Sequence, residues 1–173
     1  MKKVLVSLIV FFVMWFFILL QINLFNVITL AGTAANIGAV FVIAMGLMCD
    51  KQVGGVIGGI YGLIIDIFSA KAIGLYMLSY FLIGYASGKI CRSFSKENKT
   101  TLVVMVGIGT ILFEIFNYVL GILIYKYDIS FIKLGIEIFK EAIYNMLVSI
   151  ILFKSMMFLA EIINKSKNKN YLL

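Results

Sequence analysis

The sequence predicts an all-α integral membrane protein, a bundle of about six transmembrane helices with both termini in the cytoplasm. Hydrophobic residues make up 63% of the 173 positions and charged residues only 13%, against roughly 45–50% and about 25% in soluble domains. The apolar residues also fall into long runs, and a transmembrane helix needs about 20 residues. Six spans with short loops use the whole chain, so we expect one domain over residues 1–173.

Three spans are predicted in the first half of the chain. The first, residues 4–22, contains no charge and exceeds the roughly 7–15 apolar residues of a signal peptide, so we predict an uncleaved helix. The second, residues 29–49, has a small and polar first half that favours a late or irregular start. The third, residues 53–68, is short and rich in glycine, which indicates close packing or a locally thinned bilayer.

Three further spans are predicted after it, at residues 72–90, 101–125 and 134–163. The most polar loop of the protein, residues 89–99, divides the chain into two halves of three spans each. The last span begins as a mixed polar and apolar helix and becomes fully apolar ahead of a lysine-rich tail.

Lysine and arginine set the predicted orientation, because cytoplasmic loops carry their excess. With both termini inside, the cytoplasmic side collects ten basic residues outside the helices and the outer side three. The ten are Lys2, Lys3, Lys51, Lys89, Arg92, Lys96, Lys99, Lys165, Lys167 and Lys169, and the three are Lys71, Lys126 and Lys133. Topology thus accounts for the net charge of +7, and no nucleic acid partner is predicted.

The composition argues against an enzyme and against a metal or cofactor site. The chain has no histidine, which removes the commonest general base and metal ligand. Cys49 and Cys91 stand alone, so we expect free, reduced thiols. Ser7, Ser79 and Ser149 lie in no recognisable catalytic motif. We therefore predict no catalytic residues, no metal and no cofactor.

The glycines of the third span predict a groove for close helix packing. They form three overlapping G-x-x-x-G spacings, and small residues four apart let another backbone approach. Either another helix of this chain or a partner protein fills the groove. Asp66, one turn beyond, is either an interfacial carboxylate, a local cap or the ion-pair partner of Lys71. The candidate groove consists of Gly54, Gly55, Gly58, Gly59, Gly62, Asp66, Gly74 and Leu75.

A candidate intramembrane polar site involves the fifth and sixth spans. Glu114 is the carboxylate clearly in mid-span, and an ionisable residue there is a functional-site hypothesis by default. The alternative is a hydrogen bond to another helix. We expect a polar stripe at the start of the last helix to face a water-filled outer cavity, the headgroup region, or Glu114 and Asn117 across the bundle. The stripe is Lys133, Glu137, Lys140, Glu141, Tyr144 and Asn145, and the candidate site is Glu114, Asn117, Glu137 and Glu141.

The loop at residues 89–99 supplies a candidate cytoplasmic basic surface. Its charges either fix the topology alone or also meet cytoplasmic partners and anionic lipid, which attracts each basic residue by about 1 kcal/mol. The candidate residues are Lys89, Arg92, Lys96 and Lys99.

Residues 54–88 resemble the MreD family of bacterial rod shape-determining membrane proteins. Members have a glycine-rich span, an aspartate at its end and a Gly-Leu pair that begins the next span. The chain has no proline, whereas such proteins often carry one near the start of the second span. The segment reads GGVIGGIYGLIIDIFSAKAIGLYMLSYFLIGYASG, and the matching residues are Gly58, Gly59, Gly62, Asp66, Gly74, Leu75, Gly84 and Gly88.

The resemblance implies a non-enzymatic scaffold of the cell-elongation machinery in the bacterial inner membrane. It also implies partners: the bitopic protein MreC, the actin-like MreB filament, and the peptidoglycan glycosyltransferase RodA with its transpeptidase. The family is similar in its six-helix fold to the substrate-binding S components of energy-coupling-factor vitamin transporters, which supplies the alternative function. Such subunits typically show an Ala-x-x-x-Ala pattern in the first helix, and residues 4–22 contain no alanine.

Overall fold

The computed structural model describes residues 2–25, 29–30, 32–69, 73–90, 98–125 and 131–168. These residues form six α-helices, which confirms the predicted all-α class, together with one π-helical turn and a two-residue β-hairpin. In chain order they are α1 (Lys2–Leu20), the π turn (Gln21–Phe25), β1 (Thr29–Leu30), β2 (Thr33–Ala34), α2 (Ile37–Met48), α3 (Lys51–Ser69), α4 (Leu75–Ile90), α5 (Lys99–Tyr125) and α6 (Phe131–Asn168).

Four segments of the described chain are long and apolar enough to cross a membrane, which indicates a membrane protein. They are Val4–Asn23, Lys51–Ser69, Lys99–Ile124 and Phe131–Lys167. The helices α2 and α4 have only 12 and 16 residues. At 1.5 Å per residue they are about 18 Å and 24 Å long, less than the roughly 30 Å of the hydrocarbon core.

The second predicted span, residues 29–49, is helical only from Ile37 to Met48. The residues before it form the hairpin, whose strands pair antiparallel. Gly32, in the turn of this hairpin, has a φ of +82°, a conformation that favours glycine. The helix then starts where the Asn36 side chain accepts a hydrogen bond from the backbone N–H of Ala39. The small and polar residues thus delay the helix, as their composition suggested.

The helix α2 forms the centre of the bundle. All of its residues from Ile37 to Met48 are buried, and it contacts α3, α4, α5 and α6. Its sequence is apolar on every side, the pattern of a fully buried helix. On one side Phe41 stacks on Phe17 of α1, with ring centroids 4.8 Å apart. The helix α1 itself exposes large apolar side chains such as Phe12.

The helices α3 and α4 form an antiparallel hairpin with their backbones in close contact. Gly54 and Gly84 face each other, and a Cβ atom on either would overlap the carbonyl oxygen of the other. One turn further along α3, a Cβ on Gly58 would overlap the carbonyl oxygen of Tyr80. The glycines therefore set the distance between the two helices.

The helix α2 joins this crossing through a glycine of its own. A Cβ on Gly46 would overlap the Ser87 hydroxyl and the carbonyl oxygen of Gly84 on α4. Three helices thus meet where none of them carries a bulky side chain, which is the close approach that small residues allow inside a membrane.

The C-terminal end of α6 forms an ion pair and a hydrogen bond with the junction between α2 and α3. Asp50 accepts hydrogen bonds from the backbone N–H groups of Gln52 (2.8 Å) and Val53 (2.9 Å) and forms an ion pair with Lys167. Asn164 donates to the carbonyl oxygen of Met48 at 3.0 Å. Burial acts to raise the pKa of Asp50, but the Lys167 ammonium and the two N–H groups outweigh it and hold that pKa below its usual range.

Neighbouring glycines of α3 provide a matched test of this packing. We expect Gly58→Ala to destabilise the bundle by about 1–3 kcal/mol, because the Tyr80 backbone cannot move aside as a flexible side chain would. In Gly59→Ala the new methyl group has Phe81 3.8 Å away, an ordinary contact. That variant should keep its stability or gain up to about 1 kcal/mol of helix propensity. Unfolding of the purified protein in detergent measures both, and equal stabilities would contradict the packing described.

Candidate functional site

Asp66 lies at the end of α3, almost completely buried, and caps the start of α4. Its carboxylate accepts hydrogen bonds from the backbone N–H groups of Gly74 (2.8 Å), Tyr76 (3.0 Å) and Met77 (3.0 Å). The first N–H groups of a helix have no partner within it, and a carboxylate satisfies them well. Asp66 therefore joins two helices through one side chain. Lys71, its alternative partner in the sequence analysis, lies outside the described residues.

The backbone conformation after Asp66 explains the glycine of the Gly-Leu pair. Gly74 has a φ of +106°, in the region that favours glycine, and it turns the chain so that its N–H points at the Asp66 carboxylate. Leu75 is buried and is the first residue of α4. The aspartate, the glycine and the leucine that carry the family resemblance thus form one turn.

The candidate glycine groove faces α4 of the same chain. Gly62, like the two glycines before it at four-residue spacing, would overlap the α4 backbone if it carried a Cβ. Gly55 and Gly59 lie beside the ring of Phe81. The structure therefore places the five glycines of α3 against α4, and Gly54 and Gly58 also lie against α2. Asp66, Gly74 and Leu75 lie at the turn that joins α3 to α4.

A second set of polar contacts surrounds the start of α2. Gln21, from the π turn, accepts a hydrogen bond from the N–H of Ile37 at 2.7 Å. Asn145 of α6 accepts one from the N–H of Asn36 at 2.8 Å, and Asn36 accepts one from the N–H of Ala39 at 3.0 Å. These side chains satisfy backbone donors at a helix end that lies among the other helices.

The helices α4 and α5 complete this polar cluster. The Tyr80 hydroxyl donates to the side-chain oxygen of Asn36 at 2.8 Å. The Asn145 amide donates to the Thr110 hydroxyl at 3.0 Å. Thr110 and Asn145 are fully buried, and Tyr80 is nearly so. Five elements of the fold thus contribute hydrogen-bonding side chains to one place, which we call the α2 cluster: Gln21, Asn36, Tyr80, Thr110, Glu114, Glu141 and Asn145.

The two carboxyl groups of the α2 cluster lie near each other. Glu114 projects from α5 and Glu141 from α6, and their side chains interact electrostatically. Glu141 also contacts the side-chain amides of Asn36 and Asn145. The structure thus joins Glu114 to the polar stripe of the last helix, one of the arrangements left open by the sequence.

The other two residues of the candidate polar site lie elsewhere. Asn117 is one turn beyond Glu114, where it accepts a hydrogen bond from Ser79 at 2.8 Å and donates to the carbonyl oxygen of Phe113 at 3.0 Å. Glu137 is exposed, one turn before Glu141 on α6. Of the four residues of the predicted site, only Glu114 and Glu141 lie near each other. Asn117 is hydrogen-bonded to Ser79 of α4 instead, and Glu137 is exposed.

Several residues of the α2 cluster were not predicted as a site from the sequence. Gln21 interrupts an apolar run, and Asn36 ends the polar stretch before α2, so the sequence could have indicated both as site candidates. It gave little indication of Tyr80 and Thr110, because tyrosine and threonine are ordinary residues of transmembrane helices. Their role depends on which helices meet, and the sequence pattern does not contain that information.

The candidate basic surface is described only at its two ends. Lys89 in the last turn of α4 and Lys99 at the start of α5 are exposed, whereas Arg92 and Lys96 lie outside the described residues. Lys51 lies at the same end of the bundle as Lys89, because the backbone of Gly88 packs on it. The Lys51 ammonium lies over the ring of Tyr85, 5.6 Å from its centroid.

Comparison with known proteins adds one match. The model of a family described as "rod shape-determining protein MreD" matches residues 1–163. No curated protein and no solved structure matches the chain. Among the described residues, no three His, Cys, Asp or Glu side chains are grouped so that they could hold a metal ion.

The Asp66 cap predicts a large effect of a small substitution. Asp66→Ala should lower the free energy of unfolding by about 1–3 kcal/mol, because three N–H groups at the start of α4 lose their acceptor. Ser69→Ala, at the exposed end of the same helix, is the control and should be neutral within about 0.5 kcal/mol. Unfolding in detergent measures the difference. Equal stabilities of the two variants would mean that the cap contributes nothing.

Proposed function

This chain belongs to the MreD family of rod shape-determining proteins, and from that premise we propose that it is a non-enzymatic scaffold of the cell-elongation machinery. The observation that supports a scaffold is that polar side chains of the bundle hydrogen-bond to the protein's own backbone. Asp66, Gln21 and Asn145 hydrogen-bond to the starts of helices, so their chemistry serves the bundle. The chain has no histidine, the residue that most often acts as a general base.

We place the protein in the bacterial inner membrane as a multi-pass protein with both termini in the cytoplasm. The positive-inside rule supports this orientation. The contacts agree with it, since Lys51, Lys89 and Lys167 lie at the same end of the bundle: Gly88 packs on Lys51, and Lys167 pairs with Asp50. The basic loop at residues 89–99 would then face cytoplasmic partners such as an MreB filament, or anionic headgroups.

The bitopic partner of the scaffold is proposed to be an MreC-like protein, with RodA and its transpeptidase as further components. Because α4 covers the glycine edge of α3, a partner helix needs another surface. An apolar groove of about 470 Å³ lies between α1 and α3. Its lining is Val6, Ser7, Val10, Phe11 and Met14 from α1, Gln52, Val53, Val56, Ile57 and Ile60 from α3, and Ile163 and Lys167 from α6.

We propose that the transmembrane helix of the MreC-like partner lies in this α1/α3 groove. The groove is apolar, and Gln52 and Lys167 mark its end beside the basic residues of the bundle. Val56 and Ile60 on its α3 side are exposed, so a partner helix would bury them by van der Waals packing, the interaction that joins helices in lipid. The alternative function, the vitamin-binding S component, gains no support from the family match, and residues 4–22 lack alanine.

A bulky residue in the groove tests this proposal. Val56→Trp should reduce co-purification of the MreC-like partner in mild detergent by about tenfold or more, equivalent to a loss of at least about 1.4 kcal/mol. Ile151→Trp, on a strongly exposed position of α6, is the matched control and should retain the partner. Loss of the partner in the control alone would place the interface on α6. Co-purification of transporter ATPases instead of cell-wall proteins would favour the S-component alternative.

Cysteine labelling tests the orientation. In a chain that carries Cys49→Ala and Cys91→Ala, Lys133→Cys should react with a membrane-impermeant maleimide added to intact spheroplasts. Lys89→Cys should react only after the membrane is permeabilised, because the predicted topology puts it in the cytoplasm. Both positions are exposed, so access to the reagent is the only difference expected between them. The reverse pattern would contradict the proposed topology.

A further inference from the structure

Lys154 is a charged residue in the middle of the apolar part of α6. Between Glu141 and Glu161 no other residue is charged. Asn145 accepts a hydrogen bond at the start of α2, and Asn164 donates one at its end. The stretch between these two asparagines has the roughly 20 residues that a helix needs to cross the hydrocarbon core. Lys154 is nine residues from one asparagine and ten from the other, so it lies close to the middle of the membrane.

The Lys154 side chain points out of the bundle and has no counter-charge there. It is exposed, and neither ion pair of the described residues includes it. The next carboxylate along α6 is Glu161, about two turns away, and it pairs with Lys165. A lysine near a helix end extends its ammonium to the membrane surface, but from mid-span the side chain covers only part of that distance. An ammonium in this position is costly unless a partner compensates it.

Lys154 lines an apolar groove between α1 and α6. The groove has a volume of about 500 Å³, and apart from Lys154, Ser155 is its other polar lining residue. Phe16 of α1 and Phe158 of α6 line it and are exposed, whereas the ring of Phe41, from α2, is fully buried. A helix that lay in this groove would bury the two exposed rings and bring its own side chains within reach of Lys154.

We propose that the α1/α6 groove binds the transmembrane helix of a second protein, one that carries an aspartate or a glutamate near the middle of its span. Its carboxylate pairs with the Lys154 ammonium, and each group compensates a charge that is costly in lipid. The occupant is a protein helix because lipid phosphates lie at the membrane surface, whereas a helix carries its carboxylate to the depth of Lys154. The apolar lining supplies the van der Waals contacts that join helices in a membrane.

A second copy of this chain does not offer the required carboxylate. In a closed dimer both copies have the same orientation in the membrane, so each residue keeps its depth. The exposed carboxylates of the described residues are Glu137 and Glu161. Glu137 is 17 residues before Lys154 on α6, and Glu161 is seven residues after it and already paired. The carboxylate at mid-span must therefore come from another protein.

This site is separate from the α1/α3 groove proposed for the MreC-like partner. The two grooves have no lining residue in common. On α1, Val6 and Val10 line the first groove, and Ile9 and Val13 line the second. One helix can therefore bind on each side of α1, and the present inference goes beyond the proposed function without depending on it.

Photocross-linking in living cells tests the inference. Phe158→benzoylphenylalanine places the photoreactive group one turn from Lys154. Ultraviolet light should join it to a membrane protein whose cross-linked helix carries an aspartate or glutamate near mid-span. Lys154→Met should lower the yield by about tenfold or more, because the partner's carboxylate would then lie in lipid without a counter-charge. Lys133→Met, an exposed position of α6 outside the groove, is the control and should keep the yield.

Exchange of the two charges tests the pairing itself. Lys154→Glu should abolish the cross-link, and replacement of the partner's carboxylate by lysine should restore it. If Lys154→Glu does not accumulate alone, the lysine-bearing partner should restore its amount in the membrane as well. Val56→Trp, in the other groove, should leave this cross-link unchanged. Cross-links only to lipid, to a second copy or to a helix without a mid-span carboxylate would overturn the inference, as would a yield that Lys154→Met does not lower.

Discussion

The fold depends on hydrogen-bond acceptors for helices that begin inside the bundle. Backbone N–H groups in a lipid environment have no water to bind, and each one left unsatisfied costs several kcal/mol. The helix α2 begins at Ile37, surrounded by other helices, and Gln21, Asn36 and Asn145 accept its first N–H groups and the one before them. Asp66 performs the same task for α4. Both short helices are possible only because side chains from elsewhere complete their ends.

The Asp66 cap and the glycines of α3 act on the same pair of helices in different ways. Asp66 fixes where α4 starts, and the contacts of Gly54 and Gly58 with the α4 backbone fix how close it lies. The central helix α2 also crosses α4 at Gly46. A change in the distance between α3 and α4 would therefore also alter the packing of α2. The segment that carries the family resemblance is therefore the segment that determines the position of α2 and α4. The partner surface proposed between α1 and α3 uses the exposed residues Val56 and Ile60 of the same segment.

The sequence contained the fold class and most helix positions, but little of the α2 cluster. Composition and apolar runs predicted a helical membrane protein, and the polar stretch ending at Asn36 hinted at a late start of α2. Glu137 and Glu141 were indistinguishable, since both lie on one face of α6 at four-residue spacing. Only the structure shows that Glu141 lies near Glu114 while Glu137 is exposed. Periodicity gives the face of a helix, but the contacts depend on where neighbouring helices begin and end.

Hydrogen exchange of single backbone amides, measured by NMR in nanodiscs, tests the central claim most directly. The amides of Asn36, Ile37 and Ala39 should exchange as slowly as those in the middle of α2, because Asn145, Gln21 and Asn36 accept their hydrogens. In Asn145→Ala the protection of Asn36 should be lost first. Exchange of all three amides at the rate of an unstructured peptide in the unsubstituted protein would contradict the account, since the start of α2 would then be open to water.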